Sequence, residues 1–157
     1  MCLIGGGMTD RLSPHFVLSE LTRTATGLPN VPTAEHLVAL TALCSTLLEP
    51  VRARFGPVSI HSGYRSAAVN AKIGGSPTSQ HMRGEAADLH VPGHSLLEVF
   101  RWIVTESQLP YGQVILEGHT PAEPSWIHLS LGEPWRVGSS GRQALTFDGA
   151  RYSAWRG

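Results

Sequence analysis

From Thr33 onward, apolar residues fall at Leu37, Leu40, Cys44, Leu47, Leu48 and Val51, the spacing of one helix face. Thr33 is placed to cap its start, Glu35 lies in the first turn, and Gly56 stops the run. Glu49-Pro50 is expected to kink or split it, because proline lacks an N–H and crowds the carbonyl four residues back. The period then changes. In PVSIHSGYRS, Val58 and Ile60 alternate with polar neighbours, which predicts a strand emptying into a loop. SAAVNAKIGG reads as a short helix closed by glycine. EAADLHV (85–91) reads as a strand. HSLLEVFRWIVTESQ sets Leu96, Val99, Phe100 and Ile103 on one face behind Ser95 and Glu98, the spacing of a capping box. QVILEG (113–118) and SWIHLSL (125–131) are apolar-rich strands separated by a short proline-containing stretch, which predicts a hairpin.

Helices early, strands interspersed and a late hairpin indicate an α+β fold with an antiparallel sheet. LSPHFVLSELTRT (12–24) is a short ordered segment, and TGLPNVPT breaks the chain after it. Residues 1–11 are expected to be a flexible arm and 12–157 a single domain. Within it, 58–131 carries the motifs, and 132–157 is a coil-rich tail anchored by Trp135, Phe147, Tyr152 and Trp155.

Composition narrows the field. The 157 residues suffice for a buried core, and 12 basic residues balance 12 acidic ones. No global charge points to nucleic acid or an anionic membrane, and a monomer is expected. Cys2 and Cys44 lie far apart, which argues against a thiolate metal site. MCLIGGGMTD lacks the basic start of a signal peptide, and no run reaches the roughly 20 apolar residues of a membrane span. A wall-directed role would then need delivery by other means. Eight histidines is a large number for this length and turns attention to metal chemistry.

In SPTSQHMRGEAADLH, His81 precedes a glycine-containing turn and Asp88 follows in the next strand, so seven residues can fold back on a common point. His128 sits mid-strand in WIHLSL with Trp126 and Ser130 on its face. Three such donors plus an open position make a catalytic zinc site. On spacing alone, the His81–Asp88 pair reads equally as a solvated polar loop. A hydrolase also needs a base, for which Glu117 at the end of the preceding strand is preferred over Glu123. Arg65 in SGYRS is the candidate cation for a carboxylate or oxyanion. His90 shares Asp88's face and is either a further ligand or a hydrogen-bonded surface residue. His61 lies near the cleft or is structural, His119 is a loop residue, and Arg83–Glu85 reads as an exposed ion pair.

SGYRS, then GGSPTSQHMRGEAAD, then a strand ending in glutamate, then WIH, resemble the zinc D-Ala-D-Ala carboxypeptidase family, over about Leu12 to Ser130. That family includes bacterial D,D-peptidases, D,D-dipeptidases and phage L-alanyl-D-glutamate endolysins, and shares its fold with the Hedgehog signalling domain. The resemblance implies one Zn2+ per chain on His81, Asp88 and His128, with Glu117 as base and Arg65 on the substrate. Ser79, Gln80, Tyr64 and Trp126 would line the cleft. The stretch GHTPAEPS is longer than in compact members, so Glu123 stands as alternative base. The implied activity is hydrolysis of peptidoglycan stem peptides, as carboxypeptidase or L-Ala-D-Glu endopeptidase, in a phage or prophage lysis or tail-associated protein. The rival is a non-catalytic zinc-binding module of the same fold. Sugar binding through the tail tryptophans would leave the His81–Asp88 pairing unexplained.

Overall fold

The computed structural model describes residues 10–120, 123–132 and 142–157, with the side chains of 119, 120, 123 and 124 outside that set. Most of the expected flexible arm, Trp135, and the side chains of His119 and Glu123 therefore lie outside the described residues. The elements run α1 (Leu18–Thr22), α2 (Ala34–Leu43), a π-helical turn (Cys44–Leu48), α3 (Glu49–Phe55), β1 (Ser59–Ser62) and α4 (Ala67–Lys72). A 3-10 turn (Gln80–Arg83), β2 (Ala86–His90), α5 (Leu96–Thr105), β3 (Tyr111–Thr120), β4 (Glu123–Leu131), β5 (Gln143–Phe147) and β6 (Tyr152–Ala154) complete the chain.

The long helical pattern is realised as three joined pieces. Thr33 Oγ1 accepts from His36 N–H at its start, and Gly56, at φ 95°, ends it. Pro50 explains the middle. Its ring would crowd the Thr46 carbonyl in a regular helix, and the wider turn before it, with Glu49 N–H donating to Cys44 O, makes room.

The six strands of the described residues form one sheet in the order β1-β2-β4-β3-β5-β6. Alternation divides its two faces. Ala87, Leu89, Val114, Leu116, Ile127 and Leu129 meet Leu40, Leu43, Leu47, Leu48 and Val51 of the helices and Val99, Phe100 and Ile103 of α5. Burial of these side chains contributes on the order of 2 kcal/mol each before entropy is counted. The other face carries Asp88, His90, Gln113, Glu117, Trp126 and His128. The α+β fold with helices against a sheet is as expected.

Two details differ from the sequence pattern. Gly118 pairs with Pro124 and Thr120 with Glu123, so most of GHTPAEPS continues the hairpin ladder instead of forming a long loop. The tail, expected as coil, supplies two strands, and β5 runs parallel to β3 in an otherwise antiparallel sheet. Trp155 does anchor the tail, edge-on to Phe100 at 5.5 Å. Among the described residues, no helix is long and apolar enough to cross a membrane.

Glu49 pins the start of the fold. Its carboxylate accepts from Ser13 Oγ at 2.6 Å and from His15 N at 2.8 Å, and lies 2.8 Å from His15 Nδ1. Partial burial pushes its pKa up, but these hydrogen bonds outweigh burial and hold it below the usual glutamate value. A lowered folded-state pKa stabilises at pH above the unfolded value, and that contribution is lost as pH falls through the folded one. Glu49→Gln is therefore expected to be less stable than wild type at about pH 7, the gap closing by about pH 3, in urea unfolding followed at both.

Candidate metal centre and cleft

The sheet places two of the three expected donors directly. Asp88 on β2 pairs with His128 on β4, so their side chains rise side by side from the polar face. His81 arrives from above. Ser79 Oγ accepts from His81 N–H at 3.3 Å to start the 3-10 turn, and Gly84, at φ 72°, ends it. His81, Asp88 and His128 are all buried, and one donor atom from each lies within 4.8 Å of the others.

Hydrogen bonds fix which nitrogen of each ring faces inward. His81 Nδ1–H donates to the Gly63 carbonyl at 2.7 Å, leaving Nε2 toward Asp88 Oδ1 at 3.2 Å. His128 Nε2–H donates to Gln80 Oε1 at 3.0 Å, leaving Nδ1 toward the same Asp88 oxygen at 3.1 Å. With both outer nitrogens protonated in this way, two imidazole lone pairs and a carboxylate oxygen converge on one point. Such a cluster needs a cation or a proton between its members, and an oxygen with two imidazoles is a donor set that zinc accepts. The residues present fit the metal.

The charges agree. Burial lowers the His81 pKa, only partly opposed by Asp88, which favours the neutral, ligating form. Burial alone would raise Asp88, but the attraction of His81 and hydrogen bonds from both imidazoles hold it far below the usual carboxylate range. Arg65 completes the cluster. Its Nη2–H donates to Asp88 Oδ2 at 3.0 Å and its Nε–H to Ser62 Oγ at 2.9 Å.

Glu117 stands on β3 opposite Trp126, and Ile115, two residues before it on the same face, is opposite His128. Trp126 Nε1–H donates to Glu117 Oε2 at 3.0 Å, and Glu117 lines the cleft beside the cluster. Burial, then the charge of Asp88, raises the Glu117 pKa. Glu123 begins β4, and its side chain lies outside the described residues.

Two cavities meet at Arg65, Asp88 and Trp126. One, of about 490 Å³, runs past Ser79, Gln80, Glu117 and Tyr152. The other, of about 480 Å³, is walled by Arg23, Thr24, His61, Lys72 and part of Tyr64. Tyr64 packs on the His36 ring at 4.8 Å and lines this second cavity. Arg83 and Glu85 do form an ion pair, at 3.0 Å, but Glu85 is buried and not part of an exposed pair.

Three contributors escaped the sequence reading: the Gly63 carbonyl, Gln80 as acceptor for His128, and Tyr152. Gly63 has no slack. A Cβ there would lie 2.8 Å from Leu21 Cδ1 and 2.9 Å from Leu21 Cα, with the Leu21 carbonyl closer still. Gly63→Ala must displace the carbonyl that orients His81, and is expected to weaken zinc binding by about 10- to 100-fold and to lower Tm. Competition with a chromophoric chelator and a melting curve check both effects.

The Peptidase M15 family model matches residues 14–130. No curated protein sequence matches the chain. Peptidases of the M15 family are zinc-dependent, and a buried His–Asp–His cluster that can hold a metal lies within the matched stretch. By that match, which covers well over half of its length, the chain belongs to the Peptidase M15 family.

Proposed function

We propose that the protein is a zinc peptidase that hydrolyses peptide bonds in peptidoglycan stem peptides, with His81 Nε2, Asp88 Oδ1 and His128 Nδ1 as the metal ligands. The convergence of those three atoms, with both rings tied from behind, carries the assignment. A zinc ion held there supplies Lewis acidity toward the scissile carbonyl and lowers the pKa of water.

The chain's own residues do the rest. Glu117, oriented by Trp126, takes the proton of the attacking water as its oxygen bonds to the carbonyl carbon. The same carboxyl then returns the proton to the departing amine as the C–N bond breaks. Arg65, braced by Ser62 and Asp88, faces the developing negative charge or a substrate carboxylate. Ser79, Gln80 and Trp126 border the peptide on either side of the metal.

Charge in the cleft supports a substrate with a carboxylate. Arg23 and Lys72 wall the second cavity, and neither has an acidic partner among the described residues. D-Alanyl-D-alanine ends in such a group, and a γ-linked D-glutamate carries one beside the bond to L-alanine. Delivery to a cell wall as a phage or prophage lysis or tail-associated protein belongs to the same proposal, and its support is the resemblance of the motifs.

Purified peptidoglycan fragments incubated with the protein, with and without chelator, test this by mass spectrometry. Loss of a terminal D-alanine or cleavage after L-alanine, abolished by chelator, is expected and names the bond. Intact fragments alongside a protein that holds one zinc would overturn the hydrolase and leave a zinc-binding module.

A further inference from the structure

Beside the metal ligands stands a second pair of imidazoles, one of which, His61, lines the second cavity. His61 Nε2 lies 2.6 Å from His90 Nδ1, and the ring centroids are 4.7 Å apart. A β-bulge lies at the pair. Ile60 is opposite Leu89 and Ser62 opposite Asp88, so His61 and Ser62 share one partner residue. Alternation from the buried Ile60 puts His61 on the polar face, where His90 stands two residues beyond Asp88, and the bulge brings Ser62 to that face as well. His61 is exposed and His90 half-buried, so ions in solution reach them. Neither ring has a carboxylate partner among the described residues.

We propose that His61 and His90 form a second divalent-cation site, chelating a late first-row ion such as Ni2+, Cu2+ or Zn2+ through His61 Nε2 and His90 Nδ1. Imidazole nitrogen suits these ions and not Mg2+ or Ca2+. Metal–nitrogen bonds of about 2.0–2.1 Å need the donors about 3 Å apart, so a small rotation of either ring opens the gap sufficiently. As the ion enters, the proton between the facing nitrogens moves through solvent to the outward nitrogen of its ring, so both rings ligate as neutral imidazoles, and water fills the remaining positions. With two neutral donors in place of two imidazoles and a carboxylate, this site fills after the His81–Asp88–His128 site. It lies about 7 Å from Asp88 along β2, in the wall of the cavity shared with Arg23 and Trp126. Nothing in this assignment depends on peptide hydrolysis.

Protein carrying one zinc is titrated with Ni2+ by calorimetry, and bound metals are counted after dialysis. A second equivalent is expected in wild type and absent from His61→Asn and from His90→Asn, with the first zinc retained in both. Independently of any variant, paramagnetic Ni2+ is expected to broaden the His61 and His90 imidazole resonances before those of His15 and His94. A wild-type protein that stops at one metal would overturn the site. So would a second equivalent that persists in both variants, which would place the ion elsewhere, as at His15–Glu49 or His94–Glu98.

Discussion

Replacing Asp88 by alanine is expected to weaken zinc binding by well over about 100-fold, more than the loss of a supporting group costs, and to bring peptide hydrolysis below detection. Asp88 is the shared partner of His81, His128 and Arg65. Its loss therefore acts on the metal-free fold too, because the Arg65 guanidinium, only 14% exposed along its side chain, loses the carboxylate it is paired with. Breaking a buried pair by deleting one member costs about 3–5 kcal/mol, so Asp88→Ala should lose stability of this order. Urea unfolding in the presence of chelator isolates that effect from metal loss. Wild-type zinc affinity in Asp88→Ala would remove the residue from the ligand set.

Glu117→Gln separates metal from chemistry. Turnover is expected to fall by about 100- to 10,000-fold, the usual contribution of a positioned acid–base group, with zinc still at one per chain. Glutamine fills the same space and its amide oxygen still accepts from Trp126 Nε1–H, but it cannot take up the proton of water. The variant should also gain stability when metal-free. Burial and the Asp88 charge raise the Glu117 pKa, so the carboxyl's contribution to stability is present below the unfolded value and lost as pH rises through the folded one. Metal-free Glu117→Gln should accordingly be more stable than wild type at about pH 7 and lose that advantage toward about pH 4. Unchanged turnover, with metal counted on the same sample, would move the base to Glu123.

Most of the framework could be read from the chain because burial is periodic. The apolar positions from Leu37 to Val51 and the alternation in EAADLHV and SWIHLSL each commit one face to the core, and the packed structure uses those faces. β5 and β6 left no comparable trace. Their residues are half-buried or exposed, and they lie in a glycine- and serine-rich tail where a parallel partner is distant in sequence. Pro50 announced a break, but not that it would take the form of a π-helical turn. In the site, donor types and the WIH strand pointed to His81, Asp88 and His128. Their support was illegible because it comes from a backbone carbonyl at Gly63 and an amide at Gln80, groups whose role depends on approach in space. The bulge at His61 was hidden for a related reason, since strict alternation cannot put His61 and Ser62 on one face.

Tyr152 has a consequence for how this protein diversifies. The family match ends at Ser130, yet Tyr152, from β6, borders the cleft beside Glu117. Tyr152 is 56% exposed and packs on Phe147 at 4.4 Å. One bank of the cleft is thus built from residues beyond the matched stretch. Exchanging the segment that carries β5 and β6 offers evolution, or an engineer, a route to reshape that bank while β2 and β4, which carry Asp88 and His128, keep their own pairing.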